Sequence, residues 1–502
     1  MKALYPLCLF VLSIVSCVKP TEKQLPNIVI VYVDDLGYGD LSCYGATEVK
    51  TPNVDHLAKN GLLFTDAHSS AATCTPSRYS LLTGKYAFRN NAAILPGDAP
   101  LIIRPDQTTI ADMMKEAGYK TGVIGKWHLG LGDGKPDWNK EEKPGPSEIG
   151  FDYSSLIPAT ADRVPTVFVE NGKVVGLKAD DPIEVNYERK IGNEPDGLNN
   201  PELLKVKADT QHSGTIVNGI SRIGYMSGGK EAYWKDEDFA DVLHQKVEQF
   251  IAKDKKQPFF LYYSLPSIHV PRSPNARFSG VTKMGARGDD IVQMDWIVGE
   301  LIKTLDRYGL GENTIVIFTS DNGPVLDDGY EDHAAELVGS HKPSGIFKGG
   351  KYSAYEGGTR VPTIIYWKDK IKAAKSEALI SQVDLFASIA HLLGQEKYIE
   401  RLSLDSQNML PALLGESRRG RNIMLEESFT MSLRNQHWKY IAPVTKRVPD
   451  WLANKDVATG LQKNTQLYNL KDDPSEEHNL AEKFPDKVKE MEMLLEEVLR
   501  DK

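Results

Sequence analysis

Beyond its first residues this chain has no apolar run long enough to cross a bilayer, which excludes a body of membrane-spanning helices. It has no internal repeat and no low-complexity tract, so neither a repeat array nor a disordered tail is expected. It has no surplus of positive charge. The net charge of −9 argues against a nucleic-acid partner, and an anionic substrate would need a local cationic pocket to overcome that field. Cysteine is scarce, with four in 502 residues.

What is present starts with a leader. Met1-Lys2 precedes the apolar "LYPLCLFVLSIV", Leu4 to Val15, which runs into Ser16-Cys17. A basic start and a short apolar core ending in small residues predict a secretory signal over residues 1–17. Cys17 directly after "IVS" resembles a bacterial lipobox, which makes it the candidate first mature residue and a lipid attachment point. The expectation is an exported protein of a Gram-negative bacterium, periplasmic or tethered to the membrane only through lipidated Cys17. Cys8 leaves with the signal, so Cys43 and Cys74 remain, and a disulfide between them is the ordinary outcome for an exported chain.

The mature part has room for one large core and a smaller domain. "NIVIVYV", Asn27 to Val33, is a continuous β-branched run without polar alternation and predicts a strand buried on both faces. "NTIVIFTSDNG", Asn313 to Gly323, has the same grammar, and "KTGVIG" (Lys120 to Gly125) and "PFFLYYSL" (Pro258 to Leu265) are further candidates. Between them lie helical patterns, among them "DFADVLHQKVEQFIAK" and "DDIVQMDWIVGELIKTLDRYG". Alternating strands and helices predict an α/β fold with a large, mixed, mostly parallel sheet sandwiched by helices. We place this catalytic domain at residues 22–400. A loop-rich insertion at 151–233 carries a hairpin around Asn171-Gly172. Residues 401–502 are expected to form a smaller α+β domain with a short antiparallel sheet.

Ligands in such sheets bind at the carboxyl ends of the strands. Asp34 and Asp35 end the first strand, and Asp321 and Asn322 end the later one. These are hard oxygen donors that suit Ca²⁺ or Mg²⁺ better than zinc, although either pair alone could simply cap a turn. Lys126 and His128 follow one strand, His269 follows another, and Lys351 lies in a glycine-rich turn. Together with Arg78 they could surround a tetrahedral anion beside a metal, as phosphoryl or sulfuryl transfer requires.

Several blocks then match one family in its order along the chain. "CTPSRYSLLTGKY" contains Cys-x-Pro-Ser-Arg and Leu-Leu-Thr-Gly, and "GYKTGVIGKWHLG", "YVDDLGYGD", "SDNG", "GKYSAYEGGTRVP" and "QLYNLKDDPSEEHNL" accompany it. Nearly the whole mature chain resembles a type I, formylglycine-dependent sulfatase of the alkaline phosphatase-like superfamily, of a bacterial carbohydrate-sulfatase kind. The resemblance implies that Cys74 pairs with nothing. A maturation enzyme would oxidise it to Cα-formylglycine (3-oxoalanine), leaving Cys43 as a small buried side chain. A hydrated aldehyde offers two hydroxyls, one to attack sulfur and one to expel sulfate afterwards, where a serine would be left as a stable ester.

By the same resemblance Asp34, Asp35, Asp321, Asn322 and modified Cys74 would bind one Ca²⁺. Arg78 would orient the formylglycine hydroxyl, Lys126 would bridge nucleophile and sulfate, and His128 would take the proton from the second hydroxyl. His269 and Lys351 would hold the sulfate, one of them protonating the leaving sugar oxygen. About thirty residues separate Asn322 from Lys351; we read them as a rim loop, in which Lys342 is a rival for the lysine role. Asp162, Arg163 and His212 in the insertion are candidates to read sugar hydroxyls, or else make ordinary loop hydrogen bonds.

The implied function is exo-acting removal of sulfate from glycan sugars, with a flavour of galactose or N-acetylgalactosamine sulfates. A phosphonate or phosphate monoester hydrolase of the same superfamily is the alternative, but Asn322 is followed directly by Gly-Pro and not by an Asp-His pair. A non-catalytic glycan-binding relative would be expected to lose Cys74 or Arg78, and both are present.

Overall fold

Along the first strand, β1 (Asn27–Val33), successive side chains enter two different cores. Ile28, Ile30 and Tyr32 pack into one apolar cluster and Val29, Val31 and Val33 into another, all of them buried. A strand apolar at every position can only sit inside a sheet covered on both faces. The computed structural model, which describes residues 25–402 and 405–500, places it at the centre of ten strands.

The others, in chain order, are β2 (Leu62–Phe64), β3 (Lys120–Lys126), β4 (Tyr153–Ile157), β5 (Val169–Glu170), β6 (Lys173–Val174) and β7 (Phe259–Ser264). They are followed by β8 (Thr314–Ser320), β9 (Thr363–Trp367) and β10 (Ala374–Ser376). The spatial order is β10-β2-β9-β8-β1-β7-β3-β4-β5-β6, and β8, β1, β7, β3 and β4 form a parallel block. α1 (Cys74–Thr83) covers one face through Tyr79, Leu81 and Leu82. α2 (Phe239–Lys253) and α3 (Gly285–Arg307) cover the other with the residues the helical patterns marked, including Leu243, Val247, Ile291 and Met294.

The C-terminal part is a second sheet of four antiparallel strands, β11 (Met424–Glu427), β12 (Met431–Arg434), β13 (Trp438–Ile441) and β14 (Gln466–Asn469). α4 (Pro485–Arg500) packs on it through Met491 and Leu495. Among the described residues no helix is long and apolar enough to cross a membrane. Residues 1–17, with the Cys17 lipidation site, lie outside the described residues.

Three expectations need adjustment. The segment 151–233 opens with a strand of the main sheet, because Ser154 and Ser155 of β4 are buried although polar, and its hairpin β5–β6 continues that sheet. The short helices Lys397–Arg401 and Leu410–Leu413 belong to the first core through Tyr398 and Leu413, so the join lies nearer Met424 than 401. Cys43 is only partly covered, its backbone N–H bonded to Asp55 at 2.9 Å. Its thiol and that of Cys74 are both free.

Candidate active site

Parallel pairing of β1 with β8 sets Val33 opposite Ser320, so the two strands end side by side. Asp34, Asp35, Asp321 and Asn322 therefore emerge together, each at most 1% exposed. Asp35 turns through a left-handed backbone (φ 58°), and its N–H donates to Asp321 Oδ1 at 3.2 Å. Asn322 Nδ2 donates to Asp35 Oδ1 at 2.8 Å.

Three carboxylates without water need cations beside them. Lys126, the last residue of β3, reaches Asp34 Oδ2 at 2.5 Å. Arg78, on α1, reaches Asp321 Oδ2 at 2.7 Å, and Lys351 reaches Asp35 Oδ2 at 2.9 Å. Burial still pushes the Asp34 carboxyl well above the usual range, with Lys126 opposing it. At Asp321 burial pushes upward too, but Arg78 and Lys126 outweigh it and the net shift is downward. Asp34 Oδ1 and Asn322 Oδ1 are buried with no hydrogen-bond partner. Two orphaned oxygens among acidic groups fit a hard cation such as Ca²⁺.

Cys74 begins α1 beside this cluster and is 2% exposed. Its Sγ lies 3.2 Å from His128 Nδ1. His128 follows β3 in a left-handed conformation (φ 54°), and its Nε2 lies 2.9 Å from the Leu95 carbonyl. A carbonyl can only accept, so Nε2 carries the proton and the Nδ1 lone pair faces Cys74. Burial, then Lys126 and Arg163, holds the His128 pKa well below its ordinary value.

Arg78 makes its hydrogen bonds to Asp321, the Lys126 carbonyl, Tyr262 and Ser264. It braces the acidic cluster, where the sequence reading had it orienting the group on residue 74. His269 follows β7; its Nδ1 donates to the Val270 carbonyl at 2.6 Å and its Nε2 is 3.8 Å from Asp35 Oδ2. Burial, then Lys351, lowers its pKa to about 4. Lys342 is exposed, so of the two lysines Lys351 alone reaches the site.

Above Cys74 opens a cavity of about 400 Å³. Asp162, Arg163 and His212 line it from the insertion, joined to one another: Arg163 Nη1 donates to Asp162 Oδ1 at 2.9 Å, and His212 Nε2 is 3.4 Å from Asp162 Oδ2. Sequence reasoning missed Asp328, Tyr352 and Lys455. Asp328 Oδ2 accepts from Lys351 at 2.9 Å, its Oδ1 lies 3.0 Å from Lys455 Nζ, and the Tyr352 hydroxyl is 3.1 Å from both oxygens. The rim loop thus sends a buried carboxylate into the site. The "DD" four residues beyond Gly323 was its available signal.

A second cluster, Asp66, His68 and Glu356, also offers metal-type ligands. It is already neutralised: Arg434 lies 2.6 Å from Glu356, Lys439 is 3.1 Å from Glu356 and 2.9 Å from Glu426, and Arg360 is 2.8 Å from Asp66. These contacts join the two sheets.

Comparison with known proteins fits this geometry. The sulfatase family model matches residues 26–395. An N-acetylgalactosamine-6-O-sulfatase of Bacteroides thetaiotaomicron is 51% identical over 481 residues, 95% of this chain and 94% of that protein. Human arylsulfatase A is 30% identical over 473 residues, 91% of this chain and 83% of its own. A solved structure from work on glycosaminoglycan metabolism by Bacteroides thetaiotaomicron superposes with a TM-score of 0.92 at 52% identity, covering 95% of this chain and 99% of that one. With a matching model over most of its length and relatives aligned along nearly all of it, the chain belongs to the sulfatase family.

Proposed function

We propose that this sulfuric ester hydrolase removes the 6-sulfate of N-acetylgalactosamine or a galactose-type sugar from a sulfated glycan. One observation carries the mechanism. Cys74, in its Cys-Thr-Pro-Ser-Arg context, stands between the acceptor nitrogen of His128 and a buried acidic cluster with two orphaned oxygens. The sugar assignment follows the relative that is 51% identical.

Formylglycine at position 74, made by a maturation enzyme, would supply a geminal diol as a renewable oxygen nucleophile. A Ca²⁺ held by Asp34, Asp35, Asp321 and Asn322 would supply Lewis-acid polarisation of the sulfate oxygens. The chain's own side chains do the rest. His128 accepts a proton at Nδ1 from the group on residue 74. Lys126 and Lys351 present ammonium charge to the sulfate, each anchored on a carboxylate of the cluster. Arg78 is a positioning residue that fixes Asp321. The sulfate anion beside His269, which lines the pocket, would favour its imidazolium form, and the Nε2 proton gained in that form goes to the leaving sugar oxygen, returning the ring to the neutral Nδ1–H state. Asp162, Arg163 and His212 hold the sugar hydroxyls. Export, with Cys17 as a lipid tether, is our reading of the leader.

The test uses protein matured in a competent host. Mass spectrometry should find the peptide at position 74 about 18 Da lighter than its cysteine form, from the change of CH₂SH to CHO. That protein should release inorganic sulfate from N-acetylgalactosamine 6-sulfate faster than from the 4-sulfate. Activity from protein with unmodified Cys74 would overturn the nucleophile, and preference for the 4-sulfate would overturn the sugar position.

A further inference from the structure

The floor and the mouth of the cavity come from different parts of the chain. Cys74, His269 and Lys351 at the floor are 2%, 5% and 1% exposed. One wall of the mouth belongs to the small C-terminal domain: Phe429 from the turn between β11 and β12, and Trp451 from the long connection between β13 and β14. Both rings are half-buried.

Their placement is rigid. Trp451 meets Tyr352 edge-on, with centroids 5.2 Å apart and planes at 70°, and meets Phe429 at 6.0 Å and 72°. Tyr352 is itself fixed by its hydroxyl on Asp328 and adjoins Lys351, which the mechanism uses. The same connection delivers Lys455, 8% exposed and lining the cavity, with Asp328 at 3.0 Å as its described partner. An aromatic pair packed edge-on at the mouth of a pocket has little ordering left to lose on binding. The positive edge of a pyranose C–H face complements the negative face of such a ring, and an ammonium beside it can donate to a hydroxyl or carboxylate oxygen.

From this arrangement we infer that Trp451 and Phe429, with Lys455 beside them, form a second sugar subsite that binds the pyranose attached to the sulfated sugar. The protein then recognises an oligosaccharide end, not an isolated sulfated monosaccharide. This rests on the sulfated-sugar reading above. The argument for the occupant is continuity: the wall begins at Tyr352, next to a sulfate-binding lysine, and runs outward without leaving the cavity.

The test measures binding as well as turnover, so the two readings fail separately. In protein carrying Cys74→Ala, calorimetry would compare N-acetylgalactosamine 6-sulfate with the same sugar linked to a second pyranose. The disaccharide should bind about tenfold more tightly, one buried aromatic contact's worth. Trp451→Ala should bring that ratio close to one, and Trp451→Tyr should restore most of it. Equal affinities in the unaltered wall, or an equal loss for both ligands in Trp451→Ala, would overturn the subsite. If the disaccharide binds more tightly but matured enzyme cleaves neither compound, the subsite stands and the hydrolytic reading falls.

Discussion

His269 donates its Nδ1–H to the Val270 carbonyl, so only Nε2 can meet a leaving oxygen, and it has a proton to give there only as the imidazolium that a bound sulfate anion favours. Lys351 is tied to two carboxylates and keeps its charge, which suits it to holding sulfate. A sugar alkoxide leaves poorly without a proton, whereas nitrophenolate leaves almost unaided. His269→Ala should therefore slow a sulfated sugar by on the order of 10²–10⁴ and an aryl sulfate far less. Equal losses in kcat/KM on both substrates would reduce His269 to a sulfate ligand and make Lys351 the acid. At this scale the sequence was informative wherever a side chain sits within a few residues of a strand end: Asp34, Asp35, Lys126, His128, His269, Asp321 and Asn322 all do. Asp328, Trp451 and Lys455 lie deep in connections whose course no periodicity governs, and they were not foreseen.

Among the elements, β11 couples the small sheet to the nucleophile. Ala72 N–H donates to the Glu427 carbonyl at 2.7 Å and Glu427 N–H to that of Ser70 at 3.0 Å, so β11 pairs with the backbone leading into α1. The Glu427 side chain is buried there and accepts from Phe88 N–H at 3.2 Å; burial raises its pKa from 4.5 to about 8. A carboxyl raised on folding takes up a proton, so its contribution is complete below 4.5 and is lost as the pH rises through about 8. Glu427→Gln, which keeps an acceptor and has no charge to bury, should match wild type below pH 4.5, gain steadily in relative urea midpoint as the pH rises from there to about 8, and level off above that. A midpoint difference independent of pH would show that Glu427 is not titrating. Elements were legible where their chemistry is one-sided, as in the β-branched runs of β1 and β8. β4 was not, since "YSSLI" buries two serines that an apolar criterion passes over.

Taken whole, the molecule has its two largest sheets fastened by buried charge. Arg434 and Lys439 of the small sheet meet Asp66, Glu356 and Glu426, and Glu476 accepts from the Glu356 N–H at 2.6 Å. Removing one member of a buried pair typically costs about 3–5 kcal/mol, because its partners stay behind uncompensated. Lys439→Met should lower stability by that order, and Lys439→Arg should recover part of it. Tryptophan fluorescence and activity should fall together in one transition as either protein is heated. A separate, earlier transition in the small sheet would sink the idea of a joint. The α/β class and the order of the two sheets were readable from alternating strand and helix patterns. The joint was not, because the pairs that cross it are 78 to 368 residues apart and nothing local pairs them.

The burial of Cys74 also orders events in time. Its thiol is 2% exposed, and the backbone before it is pinned by β11, which begins at Met424. An enzyme that modifies this cysteine cannot reach it in the finished fold. During synthesis, however, the strand that pins the backbone before it is among the last parts of the chain to be made. For most of translation the Cys-Thr-Pro-Ser-Arg stretch is available as an open peptide. If Cys74 is converted as proposed, the late position of one short strand would set the interval for that conversion.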